Sequence, residues 1–384
     1  MRLLRTRFAL AGLSFLVVLA TAASAQIPAR ISDADYWSMI TGMSENGGYF
    51  RSDNFISNET SFQHVIPQLR ATLGTGGVYV GVGPEQNFSY LVALQPGIAF
   101  IVDIRRQNML QHLFYKAMME LSGDRIDFLS RLFSRRRPAN VDTASSAAAI
   151  AAALAATPVD TLWFRSIFSD VKRQLRDVHH FVLGDSDLMS IEYVHTAFMV
   201  AGPDITYSFG TQQRQRFGNR GMPTFAQLMV ETDSAGVQRG WLASERNYGV
   251  LRDMEMRNLV VPLVGDFGGP KALRAVGNWV RTHGATVSAL YTSNVEQYLF
   301  MDDSTWRHFY GNVETWPVQP QSTFIRAVFS YGGPATAPVD SSGVPMMMPP
   351  RPRSLTVLVS MPVMLQAVRD GRVKSYNDVI WMGR

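Results

Sequence analysis

An α/β chain with a doubly wound, mostly parallel sheet is the fold class this sequence predicts, and three observations carry it. The first is the stretch VYVGVGPEQNFSYLVALQPGIAFIVDIRR, Val78 to Arg106. It reads as a short apolar strand (Val78 to Val82), a glycine turn (Gly81, Gly83, Pro84), a helix (Gln86 to Leu94) and a second apolar strand ending on an acid (Ala99 to Asp103). In such half-sheets the glycines let backbone close on a ligand, and a carboxylate about 20 residues on meets ribose hydroxyls. Gly83 and Asp103 are 20 residues apart. The second observation is that two further apolar strands, Leu259 to Val264 and Val287 to Tyr291, each run into a polar cluster. Ligands bind at that edge of a doubly wound sheet. The third is a pair of strands, Thr323 to Phe329 and Ser354 to Val359, suited to an antiparallel pair at the end of the sheet.

Composition bounds the reading. With 384 residues, 46% hydrophobic and 17% charged, the chain buries one large core or two ordinary ones. Residues 1–25 have a basic head, an apolar run from Phe8 to Ala20 and the small-residue pattern Ala23-Ser24-Ala25, which predicts a cleaved signal peptide and an exported protein. The alternative is an N-terminal membrane anchor, against which the apolar run is short of the ~20 residues a spanning helix needs. After cleavage no segment predicts stable membrane insertion. Three positive charges, Arg2, Arg5 and Arg7, lie in that segment, so the formal charge of the rest falls from +5 to +2. A charge this small makes no electrostatic case for nucleic acid. The absence of cysteine excludes disulfides, thiol nucleophiles and thiolate metal sites.

The elements follow in order. Residues 26–75 form an N-terminal helical cap segment, in which Ser32-Asp33-Ala34-Asp35 opens a helix. The polar run Ser52 to Thr60 either caps the next helix through Asn58 or Thr60 or closes over the ligand, which makes Asn58 and Glu59 substrate-facing candidates. Residues 76–384 form the sheet domain, with insertions at about 135–160, 185–240 and 331–353. In Arg106 to Leu121, the spacing of Met109, Leu113, Ala117 and Leu121 predicts a helix covering the sheet, its methionines and aromatics serving the core. Arg131 to Pro138 is a basic patch, either a solvated face or a phosphate contact. The alanine-rich run 144–156 is a weakly packed surface helix or a mobile insertion.

Trp163 to Arg176 predicts an amphipathic helix, and His179-His180 lack the spacing of a metal site, so a structural role and no metal are expected. Residues 185–240 read as a lid region, where Tyr207, Arg214, Arg216 and Arg220 are either contacts for an anionic substrate or exposed loop arginines. Helices Ala243 to Arg257 and Lys271 to Thr282 flank the strand that ends in Gly265-Asp266-Phe267-Gly268-Gly269-Pro270. Asp266 is a turn residue or a site acid, and Asn294, Gln297 and Tyr298 follow the next strand as substrate-facing candidates.

A seven-strand pattern with GVG after the first strand, an acid after the second, a GDF turn after the fourth and a final antiparallel pair resembles the class I S-adenosylmethionine-dependent methyltransferase fold. More narrowly, VYVGVGPEQNFSYL, FIVDIRRQN, LSRLFSR, VPLVGDFGGPKALRAVG and SNVEQYLF are similar to phrases of an uncharacterised bacterial family on that Rossmann-like fold, from about residue 35 to 380. The resemblance implies that Gly81 and Gly83, extended through Glu85, Gln86 and Asn87, approach the cofactor, that Asp103 with Ile104 meets its ribose end, and that Asp266 is the catalytic or orienting acid. Two departures stand out: Tyr79 replaces an acid expected two residues before the first glycine, and Glu85 replaces a third glycine. The expected function is binding of a small adenosyl-type molecule, extending to S-adenosylmethionine-dependent methyl transfer. The alternative is an exported, non-catalytic binding or interaction protein that keeps the pocket.

Overall fold

The computed structural model describes residues 26–208, 222–329 and 353–382. Its centre is a six-stranded sheet of β1 (Val78–Gly81), β2 (Ile98–Asp103), β3 (Val260–Val264), β4 (Val287–Ser293), β5 (Val318–Phe329) and β6 (Ser354–Ser360), in the order β3-β2-β1-β4-β5-β6. The first five strands are parallel and β6 runs antiparallel to β5. Parallel strands are covered on both faces, which is why β1, β2 and β3 are continuous apolar runs, buried at every position. Among the described residues there are six strands where seven were expected. The turn containing Asp266 therefore follows the third strand, at the sheet edge, and not the fourth.

The helices are α1 (Asp33–Met43), α2 (Ile66–Leu73), α3 (Gln86–Leu94), α4 (Arg106–Glu120), α5 (Arg125–Leu132), α6 (Ala147–Ala156), α7 (Thr161–Arg173), α8 (Asp185–Ala201), α9 (Phe225–Val230), α10 (Glu245–Met256), α11 (Ala272–Thr282), α12 (Val295–Leu299), α13 (Thr305–Val313), α14 (Met361–Arg369) and α15 (Tyr376–Trp381). Ser32 starts α1 by accepting a hydrogen bond from the Asp35 N–H at 3.1 Å. Neither Asn58 nor Thr60 caps the short helix at Phe62–Val65: its N-cap is Ser61, which makes no side-chain cap bond. No described helix is long and apolar enough to cross a membrane.

α4 packs on β2 and β3 and is itself covered by α7, α8 and α10, so even Lys116 in its middle is buried. The alanine-rich segment is a packed helix: α6 buries Ala147, Ile150, Ala151 and Leu154. The basic patch is a solvated face whose arginines pair within the protein, with Arg136 and Arg137 exposed. Arg135 donates to the carbonyls of Leu154, Ala155 and Thr157 at the end of α6, while Arg136 pairs with Asp160 and Arg137 with Asp124. Cations at a helix C-terminus satisfy its last carbonyls and oppose its dipole. His179 is buried between acids, its ring nitrogens 2.9 Å from Asp33 and 2.6 Å from Glu120. Burial opposes its protonation, but the bonds to Glu120 and Asp33 outweigh this and raise its pKa.

Candidate functional site

The chain leaves β1 for β2 and β3 on one side and returns to β4 on the other, so a crevice opens at the carboxyl ends of β1 and β4. A cavity of about 280 Å³ lies there, lined from every strand end between β3 and β4 and from the cap segment.

The glycine turn forms its floor. Gly83 lines the cavity with φ of 76°, a conformation glycine adopts without strain. A Cβ at Gly83 would meet nothing within 4 Å, so backbone geometry, not space, calls for glycine there. The turn is held from within the protein. The Asn87 side-chain amide donates to the carbonyls of Val82, Gly83 and Pro84 at 2.9, 3.3 and 2.7 Å, and its oxygen accepts from the Tyr79 hydroxyl at 2.9 Å. A Cβ on Gly81 would stand 2.0 Å from that Asn87 oxygen, so Gly81 makes room for the clamp. His112 donates from Nε2 to the Gly83 carbonyl at 2.9 Å. Burial, against that bond, lowers its pKa to about 4 and keeps the ring neutral.

At the end of β2, Asp103 is held by Arg105. Its Oδ1 accepts from the Arg105 backbone N–H at 2.9 Å and Nε at 3.0 Å, and Oδ2 accepts from Nη2 at 2.8 Å. Arg105 also donates to the Asp53 carbonyl at 2.5 Å, tying the cap segment to the sheet. A carboxylate offers roughly four acceptor positions, so this pair leaves room for one hydroxyl. Ile104 lines the cavity beside it, and its carbonyl accepts from the Gly48 N–H at 2.7 Å.

The cap segment contributes Phe50, Asn54, Ser57, Asn58 and Glu59 to the lining. Glu59 is 1% exposed, and its carboxylate accepts from the hydroxyls of Tyr291 (2.6 Å) and Ser293 and from the Gln86 amide (2.7 Å). Burial raises its pKa, with those three hydrogen bonds opposing the rise. Glu85 points away, into a separate cavity of about 20 Å³ among Phe62, Phe225, Met229 and Trp241. Its Oε1 accepts from the Ser57 N–H at 3.1 Å, Oε2 has no partner, and burial raises its pKa to about 7.

The ends of β3 and β4 close the cavity. Asp266 lines it, half-buried, and its Oδ1 accepts from the Gly268 N–H at 2.9 Å within its own turn. Glu45 sets that turn by accepting from the N–H groups of Asp266, Lys271 and Ala272. Ser293 ends β4 with φ of 50°, and Asn54 across the cavity has φ of 51°. Non-glycine residues in this region hold strain that concentrates at functional sites. Beneath α12, Glu296 forms a buried two-point ion pair with Arg326 at 2.5 and 3.0 Å, which fixes the turn carrying Ser293 and Asn294.

A family model described as a domain of unknown function, DUF7790, matches residues 54–343. The chain belongs to that family. No curated protein matches it. The DUF7790 span begins at Asn54 and holds every described cavity residue except Phe50; β6 lies beyond it.

Of the residues singled out from the DUF7790 sequence, the structure brings Gly83, Asp103, Ile104, Asp266, Asn58, Glu59, Asn294 and Tyr298 to one cavity. Gly81, Glu85, Gln86 and Asn87 lie behind the turn, with their side chains or Cβ positions facing the core, and Gln297 stands outside the lining with its Oε1 accepting from Asn294 at 3.3 Å. Tyr207 lines the cavity, whereas Arg214, Arg216 and Arg220, residues 1–25 and most of 331–353 lie outside the described residues. Sequence reasoning missed Arg105, Tyr291 and Ser293. The first carried a signal, an arginine two residues past the strand-end acid; the other two depend on how close the cap segment comes to β4.

Proposed function

We propose that this DUF7790 protein binds an adenosyl-type molecule of the S-adenosylmethionine class in the cavity at the β1–β4 switch point, on a sheet of class I methyltransferase type. The observation that carries the reading is the convergence of Gly83, Asp103 and Ile104 on one cavity at the carboxyl edge of a β3-β2-β1-β4-β5-β6 sheet. In this reading the glycine turn passes under the methionine part and the ribose meets the free position on Asp103, with Arg105 a second partner for its hydroxyls. Asp266, on the far side of β2, lies at the base end. The strand beside β1 is β4, so Ser293, Asn294 and Tyr298 face the methyl acceptor.

Methyl transfer asks the protein to hold a nucleophile in line with the sulfonium methyl and to limit water, which a crevice lined in part by a cap segment suits. Charge favours this ligand over a nicotinamide dinucleotide. Among the described lining residues Glu59, Asp103 and Asp266 are acids and Arg105, bound to Asp103, is the one cation, a balance that suits a cationic sulfonium better than an anionic pyrophosphate. The second reading, a non-catalytic and exported binding protein, draws support from that same ion pair, because it occupies most of the acceptor capacity a ribose would use.

Calorimetric titration with S-adenosylmethionine and S-adenosylhomocysteine, alongside Asp103→Ala, tests the proposal. Saturable binding weakened at least tenfold by the substitution supports it; no heat from either ligand at millimolar concentration removes it.

A further inference from the structure

We propose that the β4 side of the cavity, at Glu59, Tyr291, Ser293 and Asn294, takes a protonated organic amine as a second ligand beside the adenosyl molecule. This rests on the reading of the cavity given above and names the class of its second ligand.

The argument is one of charge. Glu59 is a carboxylate 1% exposed that lines the cavity, and each of its three protein partners is neutral: Tyr291, Ser293 and Gln86. Among the described residues the titratable groups that face it are Tyr79 on β1, Tyr90 on α3, Tyr291 on β4 and Glu231 after α9, none of which carries positive charge. Arg353 donates from Nε to the carbonyl of the preceding residue, Asn58, at 3.2 Å. An ionised carboxylate buried without a cation is costly, and the cost is relieved by protonation or by a cationic partner. With three acceptor positions filled, about one remains for a donor. A ligand ammonium supplies both the charge and the donor.

The neighbouring surface defines the rest of the ligand. Phe50 and Tyr298 meet edge to face with ring centroids 5.2 Å apart, and Leu299 continues the apolar wall. An amine with an apolar or aromatic body fits such a wall. Among the described residues no three histidines, cysteines, aspartates or glutamates converge as metal ligands.

The test uses phenethylamine and its neutral isostere 2-phenylethanol as probes, titrated into the protein alone and into protein saturated with S-adenosylhomocysteine. The expected result is saturable binding of phenethylamine only, retained in the presence of S-adenosylhomocysteine and weakened at least tenfold in Glu59→Gln. Equal binding of both probes, no binding, an unaffected Glu59→Gln or competition by S-adenosylhomocysteine would each overturn the proposal. Failure of S-adenosylhomocysteine to bind would remove the adenosyl reading, while the amine titration of the protein alone still decides the role of Glu59.

Discussion

Replacing Glu85 by glutamine should change how stability depends on pH, by an amount that follows from its surroundings. The carboxyl is 4% exposed, one oxygen accepts from the Ser57 N–H, and the other has no partner. Burial raises its pKa from 4.5 to about 7. A raised acid pKa means that the folded state keeps a proton the unfolded chain has released, so stability is full below pH 4.5, falls as pH rises toward 7 and then levels off. Moving a carboxyl from 4.5 to about 7 corresponds to about 3 kcal/mol. Glu231 and Glu255, raised to about 7 and about 8, add slopes of the same sign, so the comparison between wild type and Glu85→Gln isolates one group. Urea unfolding followed by tryptophan fluorescence at pH 4.5, 6 and 8 measures it. The variant should lose about 3 kcal/mol less than wild type across this range. Parallel curves for the two proteins would refute the burial of Glu85 with one carboxylate oxygen unpartnered.

Gly81→Ala should destabilise by about 2–4 kcal/mol in the same assay, because the new methyl stands 2.0 Å from the Asn87 oxygen and disrupts the clamp on the glycine turn. Tyr79→Phe tests that clamp more gently: it leaves the Asn87 oxygen without its donor and should cost about 1–2 kcal/mol. Arg326→Met should cost about 3–5 kcal/mol by stranding Glu296 in the core, and replacing both partners by apolar residues should recover much of the loss.

The sheet was legible because parallel strands covered on both faces must be apolar throughout, and each of the six runs lies within a few residues of its predicted span. The order of those strands was less so. A count along the chain made Leu259 to Val264 the fourth strand, whereas it is the third and lies beyond β2, which moves Asp266 from the centre of the sheet toward its edge. Around the glycine turn, the sequence names the polar residues but not the direction each side chain takes. Glu85, Gln86 and Asn87 follow one another, yet Asn87 binds the turn's own carbonyls, Gln86 reaches Glu59 from behind, and Glu85 enters a second cavity. Glu59 could be singled out as a polar residue in a cap segment. Its bonds to Tyr291 and Ser293 could not, because they join positions 232 and 234 residues apart.

The central claim, an adenosyl ligand at the β1–β4 switch point, is tested most directly by a crystal structure of the protein grown with S-adenosylhomocysteine. The account predicts density in the cavity over Gly83, with the ribose against Asp103 and Arg105 and the base toward Asp266. A cavity left empty at saturating ligand, or ligand bound elsewhere on the chain, would contradict it.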